Sequence, residues 1–227
     1  MHEFAEFRQK LLEWGTNSSD VKNTADEMHK RFEELKDAIA NSLPAVEKYV
    51  ENLDPHINSH QKKVARISEV LAEYLELSLK DKLALRAASK LHDLGKLCVP
   101  PGILKKPGSL TSLEYEIAQF HSYIGYKVLS RIRVMEEAAK IVLQHHERID
   151  GSGYPEGLKG EEISTGARIL AVADVIEAMT SSQPYRFPHD LKNTLEEVSK
   201  GKGTQYDPYV VEACIELFDT KNLRENF

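Results

Sequence analysis

Apolar residues recur at spacings of three and four along most of this chain, the pattern of amphipathic helices. A first helix is predicted over Phe4, Phe7, Leu11 and Trp14. A second helix is predicted where the spacing between apolar residues alternates strictly between four and three, at Val21, Ala25, Met28, Phe32, Leu35 and Ile39. The register resumes at Val46, Tyr49 and Leu53, and Pro44 is expected to kink this helix. Such a seam fits a dimerisation or signal-transmitting helix, or a helix folded onto its own domain, and the spacing does not decide between them.

A new helix is predicted to begin at Asp54-Pro55, where a capping carboxylate precedes a proline at the first helical position. We therefore expect an N-terminal helical segment over residues 1–53 and a second unit over 54–227. The apolar stripe of this helix is predicted at Val64, Ile67, Leu71, Tyr74 and Leu75. Stepping back by four residues places His60, and then His56, on the same inward face.

Polar residues with ligand-type side chains also fall at the ends or on the inner faces of the following helices. A helix from about Asp81 carries Ala84, Ala87, Ala88 and Leu91 inward and ends at His92-Asp93, with Gly95 suited to a left-handed cap. After a loop from Cys98 to Gly108, Leu110-Thr111 opens a helix on which His121 shares a face with Ile117, Ile124 and Val128. The next helix runs through Ala138 and Val142 to His145-His146.

The last third of the chain continues this alternation of helices and loops. Asp150 to Glu162 is too glycine-rich for a regular element. Asp174 shares the inner side of a helix with Ile169, Ala173 and Ile176, and Asp207-Pro208 starts a final helix through Val211, Ile215 and Phe218. We find no convincing alternating strand pattern, so the prediction is an all-α helical bundle.

Composition narrows the function classes. The 227 residues are 41% hydrophobic with a net charge of -6 and no polybasic run, which argues against DNA or an anionic membrane as a partner. No stretch resembles a signal peptide or a transmembrane helix, so a cytoplasmic protein is expected. Cys98 and Cys214 are predicted to be small core residues in a reducing compartment.

Seven residues with side chains that commonly bind metals are thus predicted to face the interior of the bundle: His60, His92, Asp93, His121, His145, His146 and Asp174. Each alone is explained as well by a hydrogen-bonded core histidine or a helix cap. Together they would be costly to leave unpaired in an apolar bundle, whereas divalent ions satisfy all of them. Mixed histidine and carboxylate ligands without cysteine favour iron, manganese or zinc, and seven ligands indicate at least two ions.

Two ions about 3.5–4 Å apart, bridged by a carboxylate and a hydroxide, suit the hydrolysis of a phosphoester and need no protein nucleophile. Lys96, one helical turn past His92, is placed to hold a phosphate oxygen, although an ordinary solvated lysine is the plainer interpretation.

Three motifs in order resemble the HD-GYP domains, a branch of the HD phosphohydrolases: His92-Asp93-Leu94-Gly95-Lys96, His145-His146-Glu147 and Asp150-Gly151-Ser152-Gly153-Tyr154-Pro155. The resemblance extends from about Asp54 to Phe218. It implies an HD-domain helical bundle and a cytosolic phosphodiesterase that opens cyclic di-GMP to pGpG, and in some members onward to GMP.

The resemblance also implies roles for individual residues. Two iron or manganese ions would be bound, and in some members a third. The ligands of the first ion would be His60, His92, Asp93 and Asp174. Those of the second ion would be Asp93, His121, His145 and His146. Asp93 would bridge them as the catalytic carboxylate, and Lys96 would contact the substrate phosphate. The Gly-Tyr-Pro loop with Gly153 and Tyr154 would line the substrate site and dock signalling partners, although a glycine-rich loop is by itself unremarkable.

The chain departs from the family pattern at two places. His56 stands where relatives carry Tyr or, with a third metal, Glu; it is expected either to bind a third ion or to support His60 by hydrogen bonding. Ser182-Gln183 replaces the usual Asp-Arg before Pro184-Tyr185-Arg186, which removes an expected phosphate contact. Gln183 and Arg186 are therefore the substrate-binding candidates of this segment, with Arg186 expected to compensate.

Three functions remain open on the sequence. The leading one is an active cyclic di-GMP phosphodiesterase, because every ligand-type residue is present. A non-catalytic cyclic di-GMP sensor or adaptor is suggested by Gln183 and the heptad-like N-terminus, which would also fit a homodimer. The third is an HD phosphohydrolase that acts on another nucleotide, such as cyclic GMP-AMP.

Overall fold

The computed structural model describes residues 19–39, 55–181 and 190–219. Their α-helices are α1 Ser19–Ile39, α2 Pro55–Tyr74, α3 Leu79–Leu91, α4 Pro101–Leu104, α5 Ser112–Leu129, α6 Glu136–Gln144, α7 Thr165–Thr180, α8 Leu191–Lys200 and α9 Pro208–Asp219. Short 3-10 turns lie at Leu94–Cys98, Arg133–Met135 and Gly160–Glu162, and no β-strand occurs in these ranges. The all-α prediction is confirmed.

Local chemistry explains where these helices begin. The Thr111 hydroxyl accepts a hydrogen bond from the Glu114 amide (3.3 Å), and the Glu114 carboxylate accepts one from the Thr111 amide (2.7 Å), which forms a complete capping box. Ser78 caps α3 by accepting from the Asp81 amide. Pro208 begins α9 directly after Asp207, as predicted.

Helix α7 is the centre of the bundle. Its sequence is mostly apolar, and consecutive residues from Ile169 to Ala173 are all buried. Helices α2, α3, α6 and α8 all contact it, and α5 packs on α6 and on the 3-10 turn Leu94–Cys98. The polar site lies where α2, α3, α5, α6 and α7 converge.

The apolar seam of α1 is occupied within the chain. Ala25, Met28, Phe32 and Leu35 are buried in the common core, and α1 lies against the 3-10 turn Leu94–Cys98 and α5. This burial favours the helix folded onto its own bundle over a dimerisation seam. The helix over Phe4 to Trp14, the kink at Pro44 and the boundary at 53/54 lie outside the described residues and stay predictions.

Gly95 has a different role from the predicted left-handed cap. It lies within the 3-10 turn Leu94–Cys98 and its φ is not positive. A Cβ at this position would lie 1.9 Å from the carbonyl oxygen of His121. Glycine is needed here because the backbone after His92-Asp93 presses against the backbone of α5, and this contact brings the two ligand segments together.

Two further predictions are corrected, and one helix was missed. Tyr74 is 47% exposed instead of part of the apolar stripe, because it lies at the end of α2 and its hydroxyl donates to Glu216. The predicted loop from Cys98 to Gly108 contains the single helical turn α4. Helix α8 was missed, although Leu191, Leu195 and Val198 stand at helical spacing and pack on the core.

No helix in the described ranges is both long enough and apolar enough to cross a bilayer.

Candidate metal centre

The seven predicted ligand residues meet at one place inside the bundle. His60 comes from the second turn of α2, His121 from α5 and Asp174 from α7. His92 and Asp93 form the junction between α3 and the 3-10 turn, and His145 and His146 directly follow α6. Helix ends and inward faces therefore deliver these side chains, as the spacing predicted.

The first ligand group consists of His60, His92, Asp93 and Asp174. The Nε2 atom of His60 lies 3.1 Å from Asp174 Oδ1 and 3.9 Å from Asp93 Oδ2. The Nε2 atom of His92 lies 3.6 Å from Asp174 Oδ1 and 3.7 Å from Asp93 Oδ1. Ligand atoms of His60, His92 and Asp93 all lie within 4.8 Å of one another, close enough to share one ion.

The second ligand group consists of His121, His145 and His146. The Nε2 atom of His121 lies 3.4 Å from that of His145 and 3.1 Å from that of His146. It also lies 3.8 Å from Asp93 Oδ1. Asp93 thus stands between the two groups, because its Oδ1 faces one histidine of each, while its Oδ2 faces His60.

Backbone carbonyls orient three of the imidazoles. In each case the ring Nδ1 lies at hydrogen-bond distance from the carbonyl oxygen three residues earlier: His92 to Ser89 (2.9 Å), His121 to Ala118 (2.7 Å) and His145 to Val142 (2.6 Å). An Nδ1–H that donates to a carbonyl leaves the lone pair of a neutral ring on Nε2. The lone pairs therefore point toward the centre of the site.

This arrangement fits a cation. The Nε2 atom of His92 is buried and has no hydrogen-bond partner among the described residues. When Nδ1 of both His121 and His145 carries the proton, their Nε2 lone pairs face each other with no hydrogen between them. Buried acceptors that face one another are costly unless a positive charge lies among them. The residues present thus suit divalent ions, with nitrogen and oxygen ligands and no cysteine thiolate.

Burial keeps the second group in the form that binds metals. It lowers the pKa of His121 to about 4, with Lys96 adding to the effect. Burial also holds the pKa values of His145 and His146 well below their usual range, and neighbouring imidazoles lower them further. Neutral imidazole is the ligand form, so these rings need no deprotonation near neutral pH.

His60 behaves in the opposite way without a cation. Burial alone would lower the pKa of His60. Hydrogen bonds to Asp174 and Glu177 and the charge of Asp93 nevertheless raise this pKa to about 10. For Asp93 the two effects are reversed. Burial alone would raise the pKa of its carboxyl, but Lys96 and the imidazoles hold this pKa well below its ordinary value. The first group is thus rich in negative charge and attracts cations.

Lys96 lies beside the shared carboxylate. Its Nζ donates to Asp93 Oδ2 at 2.7 Å, and its side chain is 33% exposed. Burial opposes the charged form, but Asp93 and Asp174 raise the pKa of Lys96, so it stays protonated. A protonated amine at the open edge of the site can reach an anionic ligand.

Sequence reasoning missed Glu177. Its carboxylate is buried, contacts His60 Nδ1 and accepts a hydrogen bond from Ser181 Oγ at 2.5 Å. Burial would raise the pKa of Glu177, but its hydrogen bonds with His60 and Ser181 lower it, so it is ionised. One signal was available, because Glu177 follows Asp174 by three residues and therefore lies on the same face of α7.

The Gly-Tyr-Pro loop, residues 150–162, is anchored by another residue whose role was not predicted. The buried carboxylate of Glu147 accepts hydrogen bonds from the amides of Glu156 (2.7 Å), Gly157 (3.2 Å) and Leu158 (3.0 Å). Burial raises the pKa of Glu147 against the effect of these bonds. The carboxylate directly after the histidine pair therefore ties the loop to the site.

Gly153 and Tyr154 lie against the second ligand group. A Cβ on Gly153 would come within 2.5 Å of Glu147 Cα and the His146 carbonyl oxygen, so only glycine allows this approach. The Tyr154 ring then stacks on the His146 ring, and burial raises the pKa of its phenol, which stays protonated. The loop is thus held over one side of the site.

Three predicted site residues cannot be placed. Gln183 and Arg186 lie outside the described residues. The same holds for the side chain of His56 in the first turn of α2. Their predicted roles, including the third ion, stay predictions.

Comparisons with known proteins agree with this geometry. A family model described as "HD domain" matches residues 44–210. A relative named "Cyclic di-GMP phosphodiesterase" from Thermotoga maritima is 39% identical over 87% of this chain and 53% of its own length. A "3'3'-cGAMP-specific phosphodiesterase 2" from Vibrio cholerae is 34% identical over 96% of this chain and 41% of its own.

A solved structure of an HDG"Y"P protein from Bdellovibrio bacteriovorus shares the fold, with a TM-score of 0.63 and 16% identity over 95% of this chain and 79% of that one. The chain spans about half the length of the curated relatives it matches. The family model covers most of the chain, including every residue of both ligand groups. The chain therefore belongs to the HD domain family, within which its motifs resemble HD-GYP proteins.

Proposed function

We propose that the protein is a metal-dependent phosphodiesterase that hydrolyses a cyclic dinucleotide, with cyclic di-GMP as the leading substrate. The observation that carries this proposal is the convergence of the two ligand groups on Asp93 with the Lys96 ammonium beside it. The relatives support the substrate class, since the Thermotoga maritima protein is named for cyclic di-GMP.

Two divalent ions would occupy the two ligand groups, and Asp93 would be their common ligand. Its Oδ1 lies 3.7 Å from His92 Nε2 and 3.8 Å from His121 Nε2, one in each group. Such ions would activate water and neutralise phosphate oxygens. Iron or manganese suits this mixture of imidazoles and carboxylates. A reducing cytoplasm, which would keep iron ferrous, agrees with the two buried free cysteines.

The chain's own groups would bind and orient the substrate. Lys96 would exchange part of its contact with Asp93 for a non-reacting phosphate oxygen. Tyr154 would border the pocket from the Gly-Tyr-Pro loop, with its neutral phenol available as a hydrogen-bond donor. Water would then add across one phosphodiester P–O3′ bond, which leaves a 5′-phosphate and a free 3′-hydroxyl, as in the linear product pGpG.

The test is turnover by metal-free protein reconstituted with Fe²⁺ or Mn²⁺ under anaerobic, reducing conditions. Cyclic di-GMP, 3′,3′-cyclic GMP-AMP and pGpG are supplied separately, and products are separated by chromatography. We expect pGpG from cyclic di-GMP, no activity in Asp93→Asn, and full activity in Glu73→Gln, which changes an exposed carboxylate of α2 paired with Lys82. Tight binding without hydrolysis of any of the three would favour the sensor function instead.

A second candidate substrate is 3′,3′-cyclic GMP-AMP. It is favoured by the Vibrio cholerae relative, which aligns with nearly the whole of this chain. The same assay decides between the two, because the ratio of their kcat/KM values measures the preference directly. A preference for the mixed dinucleotide would retain the proposed chemistry and change only the substrate.

A further inference from the structure

His60 is oriented differently from the three histidines that backbone carbonyls hold. Its Nδ1 contacts the carboxylate of Glu177, while its Nε2 faces Asp174 at 3.1 Å. The imidazole ring thus lies between two carboxylates of α7, one on the metal side and one on the far side. Glu177 reaches only the nitrogen that points away from the ligand groups, so it is not placed as a ligand itself.

Glu177 is in turn fixed by two other side chains. Its Oε1 accepts from the Ser181 hydroxyl at 2.5 Å and lies 3.5 Å from the Nζ of Lys63. Lys63 also donates to Ser181 Oγ at 2.8 Å. The Glu177 side chain is 3% exposed. A buried carboxylate held at both oxygens has little freedom to turn away from His60.

We propose that Glu177, held by Ser181 and Lys63, is a positioning residue that sets the affinity of the first ligand group for its ion. By accepting from Nδ1–H, it leaves Nε2, beside Asp174, as the ring nitrogen that gives up its proton and its lone pair to an ion. The partner carboxylate also makes the imidazole a stronger electron donor. This inference rests on the proposed metal sites and adds the residue that tunes one of them.

The two ion sites should therefore respond differently to loss of Glu177. In the second group, the carbonyls that hold His121 and His145 belong to the backbone, and no side-chain substitution removes them. In the first group, the acceptor that holds His60 is a side chain. Removal of such an outer partner typically lowers metal affinity about 10- to 100-fold. We expect that loss at one ion and little change at the other.

The experiment is a Mn²⁺ titration of the metal-free chain, residues 1–227, with free Mn²⁺ measured by electron paramagnetic resonance. Wild type should bind two ions. Glu177→Ala should keep one and bind the other about 10- to 100-fold more weakly. Glu177→Gln, which retains an acceptor without the charge, should recover part of the loss, and Ser181→Ala should show a smaller shift in the same direction. Glu73→Gln is the matched control.

A second measurement separates positioning from general damage. In zinc-loaded protein, long-range ¹H–¹⁵N spectra report which ring nitrogen of each histidine carries a proton. Glu177→Ala should change the signals of His60 and leave those of His121 and His145 in place. Should Glu177→Ala fail to fold, Ser181→Ala carries the test, because Ser181 is partly exposed at the end of α7.

Mn²⁺ isotherms identical to wild type in Glu177→Ala, or in Ser181→Ala if that variant alone folds, would overturn this inference and leave the proposed function intact. Wild type that binds no Mn²⁺ would overturn both.

Discussion

The Tyr154 ring stacks on the imidazole of His146, with centroids 4.8 Å apart and planes inclined by 29°. This contact connects the Gly-Tyr-Pro loop to the second ligand group. Stacked aromatic pairs contribute about 0.5–1.5 kcal/mol beyond the area they bury. Tyr154→Phe should keep the stack and lose only the hydroxyl, whereas Tyr154→Ala should lose both.

We expect Tyr154→Ala to raise KM for the cyclic dinucleotide by about 3- to 10-fold, in line with the loss of the stack, and Tyr154→Phe to raise it less. Mn²⁺ stoichiometry should be unchanged in both, because neither change removes a ligand. Steady-state kinetics with a parallel metal titration measures this. Loss of a metal ion in Tyr154→Phe would contradict it.

Asp93→Asn tests the shared ligand. The neutral amide has one acceptor oxygen in place of two anionic ones, so it is a poorer ligand for both groups and a weaker partner for Lys96. We expect activity to fall below detection and Mn²⁺ stoichiometry to drop below that of wild type. Hydrolysis at the wild-type rate would show that Asp93 does not bridge the ions.

Lys96→Gln should separate substrate binding from metal binding. Charged hydrogen bonds contribute about 1.5–3 kcal/mol, so we expect KM to rise about 10- to 100-fold with a smaller change in kcat. Lys96→Arg, which keeps the charge, should recover part of this loss. An unchanged KM in Lys96→Gln would assign the lysine to the ion pair with Asp93 alone.

Gly95→Ala should destabilise the protein by about 1–3 kcal/mol, because the added methyl would meet the backbone of His121. Gly102→Ala is the matched control, since no atom lies within 4 Å of a Cβ at that position. Urea unfolding of both variants gives the comparison. Equal midpoints would mean that the 3-10 turn can move away from α5.

The metal-free protein should lose stability as the pH falls from 7 to 5. The folded-state pKa values of His121, His145 and His146 lie below the unfolded value, so the unfolded chain binds protons first. Their contribution is full above about pH 6.5 and declines below it. His60 has the opposite sign, because its raised pKa stabilises below about 6.5 and that contribution disappears as the pH rises through about 10.

The three histidines with lowered pKa values contribute more to the pH dependence than His60 does. The midpoint of urea unfolding, measured in the presence of a chelator, should therefore decrease from pH 7 to pH 5. His121→Gln should show a weaker dependence, because it removes one of the three groups. A midpoint that stays constant or rises on acidification would contradict the assignment of neutral, buried rings.

The sequence predicted those parts of the fold that local chemistry determines. Thr111 and Asp207-Pro208 are helix starts because capping uses neighbouring residues. Ile117, His121 and Ile124 share a buried face because the helical period fixes it. Contacts between elements were not readable in this way. Gly95 looked like a cap, since nothing local reveals the carbonyl of α5 against it.

The candidate site followed the same division. Ligand-type residues at helix ends could be collected from spacing, and the structure brings them together. Glu177 and Glu147 were missed because a glutamate side chain is most often solvated, even beside apolar neighbours such as those of Glu177. Their burial depends on His60 and on the amides of a loop, partners that only the folded chain brings close.

Glu147 gives the Gly-Tyr-Pro loop an internal anion. Three successive amides, at Glu156, Gly157 and Leu158, converge on its carboxylate as they would on a bound phosphate. Because this carboxylate is part of the chain, the three amides have their hydrogen-bond acceptor whether or not a ligand is present in solution. The loop therefore loses its conformational entropy when the protein folds, and the nucleotide of the proposed function would meet a surface that is already preorganised.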